Sequence, residues 1–152
     1  MAQLDNSAAS LRIGGDDLDP AEITRLLGCE PSLAHTKGQE LVGSATGRVR
    51  IARIGTWMLD ATDQSPEDLD GQIAEVLGKL TGDLEVWRSI AAKYEMDFYC
   101  GLFMQKSNEG LTISPQSLAA LGLRQIELGL DIYGGDREDE ADGAGKTAPL
   151  KE

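Results

Sequence analysis

Positive charge is scarce in this chain, and so are histidine, cysteine and aromatic residues. Of its 152 residues, 14 are Lys or Arg against 26 Asp or Glu, giving a formal net charge of -12. A surface this negative repels a phosphate backbone unless basic residues are segregated into a patch, so nucleic acid and anionic membranes are poor partners. The two cysteines, Cys29 and Cys100, lie far apart, and His35 is the only histidine. A structural zinc needs about four Cys or His ligands, so such a site is excluded within one chain, and no cofactor is expected. No apolar run approaches the roughly 20 residues that span a bilayer, and Met1 to Asn6 lacks the basic and apolar regions of a secretion signal. The expectation is a cytoplasmic protein with two reduced, buried thiols.

Hydrophobic residues (41%) and charged residues (26%) stand in globular proportion, and the length suits one domain with a core of its own. Residues 1–9 show no periodicity and are expected to fray. A single α+β domain is expected over 10–134, and a disordered acidic tail over 135–152, where Asp136, Glu138, Asp139, Glu140 and Asp142 cluster.

Within the domain, Ser10 to Gly14 alternates as a short strand. Asp19 then caps a helix with Pro20 at its first position, the stripe Ile23, Leu26 and Leu27, and Gly28 as its stop. From Cys29 to Gly47 the pattern is irregular, broken by Pro31, Gly38, Gly43 and Gly47. A loop of that length is more often functional or mobile than a plain connection. Arg48 to Asp60 reads as extended, with a parity shift between Ala52 and Gly55 that implies a bulge or a hairpin. Helix starts follow at Ser65-Pro66-Glu67-Asp68 and at Asp83. Met96 to Met104 reads as a central strand buried on both faces. Ser114-Pro115 opens a short helix, and Ile126, Leu128, Leu130 and Ile132 alternate inward along a last strand.

Strand, capped helix and strand thus occur twice, around Asp19-Pro20 and around Ser114-Pro115. Two β-α-β halves joined by a helical pair fit one sheet covered by helices, a ferredoxin-like plan with a mainly antiparallel or mixed sheet.

No motif for chemistry accompanies this fold. Ile13-Gly14-Gly15 precedes a helix, but Asp16, Asp17 and Asp19 would stand beside any phosphate with no Lys to offset them. The acidic runs lack the register of a calcium loop. His35 has no nucleophile elbow near it, although a carboxylate within reach would make it an acid–base candidate. The one local excess of positive charge is Lys37, Arg48, Arg50 and Arg53 against Glu40, and Arg48 and Arg50 share a strand face opposite Val49 and Ile51. Arginine forks pair with carboxylates and phosphates, so this cluster is the expected contact for an anion or an acidic partner.

The pieces Ile23-Thr24-Arg25-Leu26-Leu27-Gly28, Glu30-Pro31-Ser32, His35-Thr36-Lys37-Gly38 and Gly55-Thr56-Trp57-Met58-Leu59 occur in this order. Ser114-Pro115 with Leu118 and Leu121, and Leu130-Asp131-Ile132-Tyr133, follow them. Together, across about residues 10–133, they resemble a bacterial family known as domain of unknown function 4279. The resemblance implies a compact α+β domain and marks Pro31 to Gly38 and Trp57 as family features, with no activity or cofactor to carry over.

The first expectation is therefore a non-enzymatic binding module whose partner is an unknown protein, working through the 31–47 loop with Arg48, Arg50 and Arg53. The alternative is a small anionic metabolite held by His35, Lys37, Trp57 and Tyr133. A homodimer through exposed edge strands is a separate possibility.

Overall fold

The computed structural model describes residues 2–134; the acidic tail expected over 135–152 lies outside them. The molecule is α+β: the described residues form four helices, a mixed five-stranded sheet and a small two-stranded one. Its first strand, β1 (Asn6–Gly15), is the centre of the large sheet. Leu11, Ile13 and Ala9 alternate with Ser10, Arg12 and Gly14, so one face is apolar and the other is not. The strand begins well before Ser10, and the residues expected to fray are held. Leu4 is buried, and Ser7 and Gln72, both fully buried, bond through Ser7 Oγ to Gln72 Oε1 (2.8 Å) and Gln72 Nε2 to the Ser7 carbonyl (2.9 Å). Small and polar residues made this stretch silent to a hydrophobic pattern.

Helix α1 (Pro20–Leu27) starts where Asp19 accepts from Ala21 N. The irregular stretch that follows, with the start of the extended segment after it, resolves into three short strands. β2 (Leu33–His35) joins the edge of the large sheet, while β3 (Glu40–Val42) and β4 (Val49–Ile51) pair with each other. This hairpin is tied at its base. Buried Ala52 donates to the Gln39 carbonyl and accepts from Gly38 N, both at 2.9 Å. The parity shift is the point where the chain leaves the hairpin for β5 (Gly55–Asp60).

Two helices follow, α2 (Leu69–Gly78) and α3 (Leu84–Ala91), capped by Asp68 and Asp83. They lead into β6 (Glu95–Phe103), then α4 (Pro115–Leu123) capped by Ser114, then β7 (Glu127–Tyr133). The strand order is β2-β5-β1-β6-β7, with antiparallel pairs except β6 and β7, which run parallel. The relation between the two capped-helix units differs from the expected matched halves. The strands on either side of α1, β1 and β2, are separated by β5, whereas those on either side of α4 are direct neighbours. The helical pair links β5 to β6, which flank β1 on its two sides.

All four helices contribute to one core, through Ile23, Ile73, Trp87 and Leu121 among others, against Leu11, Trp57 and Phe98. Among the described residues, the opposite face of the sheet carries no helix. β6 is accordingly buried on one face only, because Asp97 and Tyr99 alternate with Phe98 and Cys100. Burial also pushes the Cys100 thiol up to about 12, while Cys29 is only half-buried. Among the described residues no helix is long and apolar enough to cross a membrane.

Two contacts allow direct tests. Gly55 lies opposite Gly15, and a Cβ on Gly55 would stand 2.9 Å from the carbonyl oxygens of Gly15 and Leu18. Backbone on both sides would have to move, so Gly55→Ala should lower stability by about 1–3 kcal/mol in urea unfolding. Asp70 joins α2 to α4, accepting from Ser117 Oγ (2.6 Å) and Ser114 N (3.0 Å), and these bonds hold its pKa below the ordinary value. Its stabilisation is complete above the unfolded-state pKa and fades as pH falls through the lower folded-state one. Wild type should exceed Asp70→Asn in stability at neutral pH, with the gap closing below about pH 4 in unfolding curves taken across pH.

Candidate functional site

The open face of the sheet is set by alternation. With Leu11 and Ile13 committed to the core, Arg12 and Gly14 of β1 must point away from it. Beside them stand Thr56 and Met58 of β5, Leu33 and His35 of β2, Glu95 and Asp97 of β6, and Glu127 of β7. Together with Arg50 of the hairpin, Ile54, and Ala91 and Tyr94 at the end of α3, they line a groove of about 830 Å³. Tyr94 reaches it because Gly15 has no side chain: a Cβ there would stand 2.7 Å from the ring.

Charge is unevenly distributed across this groove. On the β2 side are His35 and Arg50. Among the described residues no carboxylate lies within ion-pair distance of Arg50, and the buried Nδ1 of His35 has no hydrogen-bond partner. Burial, and then the Arg50 charge, lower the His35 pKa, which favours a neutral imidazole. No carboxylate among the described residues reaches that ring, so the acid–base pair considered for it is not formed. On the β6 side are Glu95, Asp97 and Glu127. In the middle, Arg12 and Asp97 neutralise one another through two hydrogen bonds, Nε to Oδ1 at 2.8 Å and Nη2 to Oδ2 at 2.5 Å. The guanidinium also lies 4.4 Å over the Tyr99 ring, a cation–π contact.

A polar chain continues from there along β6 and β7. The Tyr99 and Tyr133 hydroxyls both donate to Asp131 Oδ2, at 2.5 and 2.9 Å. Tyr133 also stacks on Phe103, with centroids 4.8 Å apart. The Asp131 acceptor, with burial second, pushes the Tyr99 phenol up to about 12.

Of the residues expected from the sequence, the groove brings together His35 and Arg50. Lys37 is exposed and pairs with Asp16 at 3.4 Å. Arg48 and Arg53 are exposed outside the lining. Trp57 faces the core at 0% exposure, with Nε1 donating to Thr24 Oγ1 (3.1 Å), because its parity in β5 is that of Leu59. Tyr133 lies on the open face six residues from Glu127 along β7, about 20 Å from the groove by strand rise. Arg12 and Asp97 were missed, although each is a lone charge between apolar neighbours, Leu11 and Ile13 for one and Met96 and Phe98 for the other. Among the described residues, no group of three or more His, Cys, Asp or Glu is placed to hold a metal.

If Asp131 governs the tyrosine pair, Asp131→Ala should return the Tyr99 phenol toward its ordinary value of about 10. Ultraviolet titration of phenolate should then show an ionisation absent from wild type in that range.

Residues 5–135 match the family described as domain of unknown function (DUF4279), and the chain belongs to that family. Neither the curated proteins nor the solved structures contain a match to it.

Proposed function

Taking membership of a family without an assigned function as the premise, we propose that this chain is a non-enzymatic binding module. Its ligand lies on the open face of the sheet as an anion with an apolar body. The observation that carries this reading is the groove's cationic side, where Arg50 and the unpartnered His35 Nδ1 adjoin Leu33, Ile54 and Met58. A guanidinium without a carboxylate partner can take an oxyanion in two parallel hydrogen bonds, and the imidazole supplies one more polar contact. The apolar residues give the rest of the ligand a surface to cover, and the volume is in the range of small-molecule sites.

The same reading takes β2, β5, β1 and β6, crossed by α1 and by the α2–α3 pair, as a ferredoxin-like core. The β3–β4 hairpin is an insertion into that core, and α4–β7 is an addition at its edge. The insertion brings Arg50 to the groove, so the anion contact belongs to the inserted piece. We further take residues 10–134 as the extent of the folded domain's working part and the cytoplasm as its compartment.

A second reading rests on the outer face of the hairpin, where Val42, Val49 and Ile51 are 67%, 58% and 55% exposed. With Arg48 and Arg53 close by in sequence, that face would suit an acidic protein surface.

Octanoate is a suitable probe of the first reading. Titrated into labelled protein, it should shift amide signals at Leu33 to His35 and Arg50 to Met58, and Arg50→Glu should weaken its Kd at least tenfold. Shifts confined to Val42 and Val49, or no shifts, would count against the groove.

A further inference from the structure

We infer that β7 is a self-association edge through which two copies of this chain pair antiparallel about a two-fold axis at Leu130. This does not depend on the identity of any ligand. β7 ends the large sheet, and its outer side is unpaired among the described residues. The other end of the sheet, β2, is only three residues long. β7 has seven, with neither proline nor lysine to discourage pairing.

Its apolar residues are also incompletely covered. Leu130 and Ile132, expected to point inward, do lie on the helical side, yet they are 43% and 55% exposed, because among the described residues no further strand or helix extends past this edge.

The backbone selects a register. The Tyr133 carbonyl accepts from Met104 N (3.0 Å), so the Tyr133 peptide faces β6. By alternation, Leu128, Leu130 and Ile132 present their N–H and C=O groups to the free edge. Those residues must therefore form the hydrogen-bonded pairs of an antiparallel dimer. With the axis at Leu130, Leu130 meets its own copy and Leu128 meets the second copy's Ile132, an apolar row. On the opposite face Gly129 meets Asp131 and Glu127 meets Tyr133, so no carboxylate opposes another. Sliding the second copy by two residues in one direction sets Glu127 against Asp131; sliding it the other way sets Asp131 against its own copy. The sequence Glu-Leu-Gly-Leu-Asp-Ile-Tyr is thus self-complementary in one long register, as an isologous interface requires. A perpendicular two-fold merges the five-stranded sheets into one and leaves both grooves on the same side.

The experiment is light scattering on size-fractionated protein, with two variants. Wild type should elute at twice the chain mass, and Leu130→Lys at once the chain mass with an unchanged circular dichroism spectrum. A hydrogen-bonded antiparallel pair separates Cα atoms by about 5.5 Å, within disulfide reach. In a Cys29→Ser background, Leu130→Cys should therefore form a disulfide-linked dimer on mild oxidation, whereas Leu123→Cys, more exposed but off the strand, should not. A monomeric wild type overturns the inference. So does a dimer that Leu130→Lys does not dissociate and Leu130→Cys does not lock.

Discussion

The parity of β1 is the constraint from which the rest of the molecule follows. Leu11 and Ile13 are fully buried against the helices, and a strand that sends those residues one way sends Arg12 and Gly14 the other. The neighbours β5 and β6 are held in register with β1 and repeat the division, Trp57 and Leu59 inward with Met58 outward, Phe98 inward with Asp97 outward. The helices occupy one face because only that face is apolar. What remains is a polar, half-exposed surface, where some charges pair with one another and others face solvent.

Pairing accounts for the middle of that surface. Arg12 and Asp97 satisfy each other, and Tyr99 and Tyr133 converge on Asp131. Being partly exposed, the Arg12–Asp97 pair contributes little to stability, on the order of 1 kcal/mol or less. Its effect is geometric: the pair neutralises the middle of the groove, so that the other charged groups stand at its two sides. Arg50 and His35 lie toward β2, Glu95 and Glu127 toward β6 and β7. The groove is therefore a dipole laid across the strands, and a ligand entering it meets charge of opposite sign at opposite walls.

How far the sequence discloses this depends on the range of the interaction concerned. Helix starts were legible because caps are local: Asp19, Asp83 and Ser114 each accept a backbone N–H two or three residues on. An apolar and aromatic run placed β6, and apolar alternation placed β7, each to within a residue or two, although β6 was expected to be buried on both faces. The strands β2 and β3 were hidden, because each has three residues and is separated from the next by a glycine-bearing turn, while β4 fell inside the stretch read as extended. The N-terminal part of β1 was hidden for another reason: what buries Ser7 is a hydrogen-bond network with Gln72, 65 positions away, and not hydrophobicity. Of the candidate site, His35 and Arg50 were legible as residue types. Their meeting was not, since it depends on β2 lying against β5 and on the hairpin folding back. Trp57 was misplaced among binding residues because its large ring suits a pocket as well as a core, and only strand parity separates the two.

The β3–β4 hairpin is tethered at its base by the exchange between Ala52, Gln39 and Gly38, while its tip takes no part in the core. A segment fastened at one end and solvated at the other can change in length and charge at little cost to folding. Relatives built on this plan can accordingly diverge in what they recognise without renegotiating how they fold, and inheritance of the scaffold and inheritance of selectivity become separable matters.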